Sequence, residues 1–172
     1  TNQTSTRCVD LLESGQVDFI VTNYPNSRLT DRMTSIPIHT FRDVFIASRE
    51  HYPELMNKTI TLKELLQHPI LMLDRKSTTS EFLHQLFQQH QLDLVPEIEL
   101  GSNDLLVDLA SIGLGIAFVQ DYCLTRASDL FQVQIADTLP TRQLVIAHNA
   151  HLPVPQAAKA FIRFFTEKTE EL

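Results

Sequence analysis

The sequence predicts an α/β fold on a mostly parallel sheet. Short apolar runs alternate with amphipathic stretches almost end to end, turn residues separate them, and neither a repeat nor a low-complexity linker breaks the alternation. Strand–helix–strand repetition implies right-handed crossovers, because a right-twisted strand feeding a helix packs back onto its sheet in that hand. A length of 172 residues allows one domain or two small lobes.

The elements follow in order. Thr4 to Ser14 reads as a helix with Val9, Leu11 and Leu12 inward, ended by Gly15, which takes a left-handed cap at no steric cost. Val17 to Thr22 reads as a strand buried on both faces, and Met33–Ile38 and Phe41–Ser48 as two more, Pro37 placing the first at an edge or a strand end. Thr61-Leu62-Lys63-Glu64 has the spacing of a capping box, and its short helix must stop before Pro69. Ile70–Leu73 is the next strand, and Ser80–Gln91 a helix burying Phe82, Leu83, Leu86 and Phe87.

Beyond Pro96 a strand (Glu97–Leu100), a helix (Asn103–Ile112) and a strand (Gly115–Val119) repeat the alternation. The helix should bury Leu105, Leu106 and Leu109, leaving Asp104 and Asp108 in a solvated stripe. Gly113 suits a helix C-cap and Gly115 a close approach of backbone; a helix precedes them and a strand follows, the reverse of a dinucleotide fingerprint. Phe131–Ile135 alternates like a half-exposed strand and Gln143–Ala147 reads as a buried one. Pro155 opens a last helix with Ala158, Phe161, Ile162 and Phe165 inward.

Composition narrows the function. Lys and Arg number 14 against 21 Asp and Glu, a net charge of −7, so the chain is not built to grip a phosphate backbone by itself. Two distant cysteines, Cys8 and Cys123, make neither a disulfide framework nor a thiolate zinc site and read as small apolar residues. No apolar run is long enough to span a bilayer, so no membrane association is expected. GxSxG, P-loop and HExxH motifs are missing, and the seven histidines are scattered. No catalytic residue, cofactor or metal site is expected.

In α/β sheets ligands bind beyond the carboxyl ends of the strands. The loop after Ile70–Leu73 is Asp74-Arg75-Lys76-Ser77-Thr78-Thr79-Ser80, two cations and four consecutive hydroxyls at a helix start, where free amides and the macrodipole favour an anion. A single capping hydroxyl with the rest in water is the structural alternative. Thr22-Asn23-Tyr24, Gly101-Ser102-Asn103 and Gln120-Asp121 are also polar where their strands stop, although each suits a turn or a cap equally well.

Several segments, in this order, resemble LysR-type transcriptional regulators: Leu11 to Val21, the Ile36-Pro37-Ile38, Val44–Ser48 and His51-Tyr52-Pro53 stretch, Ile60–Leu65 with Pro69-Ile70-Leu71, Ile112–Val119, and Ala158–Phe164. The resemblance implies an effector-binding domain: two Rossmann-like lobes of the type-2 periplasmic-binding-protein fold, with the chain crossing twice between them. Residues 1–45 and 148–172 would form lobe I and 46–147 lobe II, with Phe41–Ser48 and Gln143–His148 as the crossing strands. A ligand in the interlobe cleft would touch Thr22, Asn23, Arg75, Lys76, Ser77, Thr78, Thr79, Ser102, Val119 and Gln120. Gln120 stands where the family usually has Pro. The family's winged helix-turn-helix, linker helix and first effector-domain strand and helix are expected upstream of Thr1.

The leading expectation is therefore a cytoplasmic regulator's sensing domain. It would bind a small carboxylate or other oxyanion, self-associate as a dimer or tetramer, and reach DNA only through the helix-turn-helix domain. A transporter's solute-binding receptor shares the fold and is the alternative. An enzyme on the same scaffold is the weakest reading, since Asp74, Asp121 and Tyr24 are the titratable candidates in those segments.

Overall fold

A computed structural model gives the structure of the protein and describes residues 3–126 and 128–169. The chain divides into two compact units, Thr1–Thr40 with Arg142–Leu172, and Phe41–Thr141. These divisions fall several residues before the expected 45/46 and 147/148, because the buried half of one long strand begins at Phe41 and the return strand pairs within the first unit from Gln143 onward.

In the first unit, helix α1 (Ser5–Glu13) starts at Thr4, whose hydroxyl accepts from the Arg7 amide at 3.4 Å. Strand β1 (Phe19–Tyr24) runs antiparallel to β8 (Thr141–Asn149), with Ile20 opposite Ala147 and Thr22 opposite Val145. Strand β2 (Met33–Ser48) begins in this unit, and α5 (Gln156–Thr169) closes it. Val9, Leu12, Ile20 and Ala147 form the core. Three expectations are corrected here. The sheet is antiparallel at β1–β8 rather than parallel. β1 is buried on one face only, since Val21 is 37% exposed while Ile20 and Thr22 are buried. Phe161 points outward and is held by stacking on Phe19 at 4.9 Å.

The two strands expected over Met33–Ser48 are one, running through Pro37. β2 pairs with β6 and β7 over Asp43–Ser48 and also neighbours β8, so Pro37 lies outside the β6 and β7 ladders.

The second unit carries the doubly covered sheet. Its strands are the rest of β2, β3 (Thr59–Ile60), β4 (Ile70–Leu73), β5 (Ile98–Leu100), β6 (Ile116–Gln120) and β7 (Leu130–Ile135). The order β2-β6-β4-β5 makes β4 parallel to β5 and β6, while β2 runs antiparallel to β6 and β7. The sheet is thus mixed. Side-chain alternation sorts the core into two layers: Phe45, Met72 and Phe118 join one cluster, and Val44, Ile46, Leu71, Ala117 and Val119 the other. Helices α2 (Leu62–Leu65) and α3 (Thr78–Gln89) feed the first layer through Leu62, Leu65, Leu83 and Phe87. Helix α4 (Asn103–Ser111) feeds the second through Leu106 and Ala110, while Leu105, expected inside, is exposed.

Local chemistry fixes the ends of these helices. The capping box forms: Thr61 Oγ1 accepts from the Glu64 amide at 3.2 Å, and the Glu64 carboxylate accepts from the Thr61 amide at 2.8 Å. Those contacts hold the Glu64 carboxyl below its ordinary pKa. Gly113 follows α4 at φ +81°, a left-handed conformation. At Gly115 a Cβ would sit 2.6 Å from the Pro69 carbonyl oxygen, the acceptor for the Ile116 amide at 2.8 Å. The glycine lets the loop after α4 lie against the start of β4.

Candidate functional site

The polar cluster is built where β4 and β6 end. After Leu73 the loop is tied down: the Asp74 amide donates to the Leu100 carbonyl, the Asp74 carboxylate accepts from the Lys76 amide, and the Ser77 amide donates to the Asp74 carbonyl, each at 3.0 Å. Ser77 caps α3 by accepting from the Ser80 amide at 3.0 Å. The helix therefore starts at Thr78, two residues before the expected Ser80. All four hydroxyl residues, Ser77 to Ser80, are buried. A lone cap with its neighbours in water is ruled out.

Gln120, the last residue of β6, is 1% exposed and ties this helix to its surroundings. Its Nε2 donates to Thr79 Oγ1 at 3.2 Å and to Asp43 Oδ1 at 3.3 Å. Its Oε1 accepts from Asn103 Nδ2 at 2.6 Å. Asn103 is the first residue of α4, and Ser102 before it caps that helix, accepting from the Leu105 amide at 3.4 Å. One carboxamide thus joins the N-terminal turns of α3 and α4. Both turns carry the positive end of a helix dipole, which suits an anion and also offsets the buried Asp43 carboxylate. Two oxygen atoms in these turns, Ser80 Oγ and Asn103 Oδ1, are buried without a hydrogen-bond partner.

Other expected residues lie elsewhere. Val119 is wholly inside the second core layer. Arg75 is exposed and pairs with Glu99 at 3.4 Å, and Lys76 is exposed. The cluster itself is thus lined by amides and hydroxyls, with Arg75 turned to Glu99. In the first unit, Thr22 is buried, its hydroxyl accepting from Asn26 Nδ2 at 3.4 Å, and Asn23 is half-buried on β1.

Two buried charged residues, Asp43 and Arg142, are not singled out by the sequence. Asp43 sits in a run otherwise read as buried strand, and a charged side chain there is rarely buried unless paired; the same signal marks Arg142, buried at the start of β8. Asn103 belongs to a strand-end segment that the sequence marks as polar, but nothing local shows its bond to Gln120. Among the described residues, no three or more His, Cys, Asp or Glu side chains gather as a metal site. Likewise no helix among them is long and apolar enough to cross a membrane. Cys8 and Cys123 form no disulfide and pack beside the apolar clusters, and burial raises the Cys8 pKa.

Comparison with known proteins adds the lineage. Residues 1–170 match the LysR substrate binding domain. The HTH-type transcriptional activator CmpR of Synechocystis sp. is 33% identical over 81 residues, 47% of this chain and 26% of that protein. The chain spans 26% to 51% of the length of the curated relatives it matches. Among solved structures, the regulatory domain of Synechocystis PCC6803 CcmR in complex with 2-PG superposes with a TM-score of 0.86 at 20% identity, covering 98% of this chain and 81% of that one. The effector binding domain of QuiR in complex with shikimate gives 0.82 at 15% identity, covering 98% and 79%. At these identities the two superpositions carry the fold, which is that of the type-2 periplasmic-binding proteins.

Proposed function

The chain belongs to the LysR substrate binding domain family, and from that premise we propose that it senses a small anionic effector for a transcriptional regulator. The observation that carries the proposal is the Gln120 side chain joining the N-terminal turns of α3 and α4 in a buried, hydroxyl-rich cluster. An anion seated there would meet Ser77, Thr78, Thr79, Ser102 and Gln120, with helix dipoles in place of a paired cation. The CcmR and QuiR domains hold 2-PG and shikimate; shikimate is a carboxylate, in keeping with an oxyanion ligand. Regulators among the relatives favour this reading over a transporter's receptor and over an enzyme.

Ligand binding would act by population shift, favouring whichever arrangement of the protein binds it more tightly. In the whole protein we place DNA binding in a separate helix-turn-helix domain, the working state in a self-associated form, and the location in the cytoplasm.

A thermal-shift screen against small carboxylates, inorganic oxyanions, amino acids and sugar phosphates tests the proposal. An effector at about 100 times its Kd stabilises the native state by about 2.7 kcal/mol. Thr78→Ala/Thr79→Ala should abolish that shift and keep the fold. Full stabilisation of the double variant by the same anion would move the site elsewhere.

A further inference from the structure

Asp43 settles the direction of every amide in the cluster. A carboxylate can only accept, so the Gln120 atom at 3.3 Å from Asp43 Oδ1 must be its NH2 group, which also serves Thr79. Gln120 Oε1 then faces Asn103 at 2.6 Å, and the Asn103 atom there must be its NH2 group. The remaining Asn103 atom is therefore Oδ1, an acceptor, and it is buried with no partner. The polarity of this relay is fixed two hydrogen bonds away, at Asp43, so Asn103 cannot flip to present a donor without breaking the bond to Gln120. A second orphan stands in the neighbouring turn: Ser80 is completely buried at the third position of α3, and its hydroxyl also lacks a partner. Side chains in a first turn lean toward the helix N-terminus.

Buried polar atoms are hydrogen-bonded in nearly all native proteins, so an orphan at a binding cluster points to a group that arrives with the ligand. We propose that Asn103 Oδ1 is a specificity-determining acceptor: the effector carries a hydrogen-bond donor, a hydroxyl or an ammonium, beside its anionic group. This rests on the proposed anion site, because the same Gln120 amide joins Asn103 to Thr79. A site built to hydrogen-bond a ligand group discriminates strongly against the analogue that lacks it, since the protein atom is left unpaired.

The test uses matched probes on the wild-type protein: acetate, glycolate and glycine as one set, succinate, malate and aspartate as another, with affinities from calorimetry. The hydroxyl- or ammonium-bearing member of a set should bind about tenfold tighter or more than its bare carboxylate. The preferred member tells hydroxyl from ammonium. Asn103→Ala should reduce the preference to about twofold or less. If that variant does not fold, the wild-type Asn103 side-chain NH2 resonance replaces it, shifting with the donor-bearing probe and not with the bare one. Carboxylates that perturb Thr78 and Thr79 but bind equally with and without the donor overturn this inference and leave the anion site standing. No response to any probe overturns both.

Discussion

Asp43 and Gln120 face each other across the β2–β6 ladder, and the Gln120 amide donates to the Asp43 carboxylate at 3.3 Å. This cross-strand pair puts a charge and a carboxamide, each 1% exposed, at the end of a sheet whose next residues, Val44 and Val119, are core. Through Gln120 the pair also orients the Thr79 and Asn103 side chains.

Gln120→Leu keeps the side chain's approximate size and removes three hydrogen bonds, to Asp43, Thr79 and Asn103. Losing one partner of a buried polar group costs about 1–3 kcal/mol. Urea unfolding should show a loss of at least that size, and anion binding should disappear with it. A variant as stable as the wild type would mean that the network holds nothing in place.

Arg75→Ala should change anion affinity by about threefold or less, because exposed charges are screened and exposed ion pairs contribute about 0–1 kcal/mol. The Arg75 side chain is 75% exposed and its guanidinium is already turned to Glu99. Calorimetry of the variant beside the wild type checks this; a loss of about tenfold or more would put Arg75 on the ligand.

Gly115→Ala places a methyl against a backbone carbonyl, 2.6 Å from the Pro69 oxygen. The nearest atom is backbone and the next are in the buried Leu71 side chain, so the strain should cost about 1–3 kcal/mol, read as a lower urea midpoint. Stability unchanged within error would show that the loop after α4 has room to move.

The capping box gives a pH dependence. Contacts with the Thr61 amide and hydroxyl lower the Glu64 pKa in the folded state. A depressed carboxylate stabilises above the ordinary glutamate range and loses that contribution as pH falls through the folded value. The stability advantage of the wild type over Glu64→Gln should therefore be present at neutral pH and shrink in acid. An advantage that grows on acidification would contradict the assigned contacts.

Much of this structure is legible in the sequence because its signals are local. The Thr61–Glu64 spacing, the Gly113 cap and the Gly115 approach each need only neighbouring residues, and each forms where expected. What sequence hides is pairing at long range. Asp43 and Gln120 are separated by 77 positions, and only the antiparallel register of β2 against β6 brings them together. Strand direction is hidden for the same reason: alternating helices and strands imply parallel pairing, while β2 and β8 return antiparallel. The charge of Arg75 suggests an anion partner, yet position along the loop decides its direction, and it pairs with Glu99.

The most direct measurement is an amide NMR titration of the labelled protein with the carboxylate that stabilises it most. The largest shifts are expected at Ser77 to Ser80, Ser102, Asn103 and Gln120, saturating together with a single Kd. Saturable shifts confined to other residues, with these resonances unmoved, would contradict it.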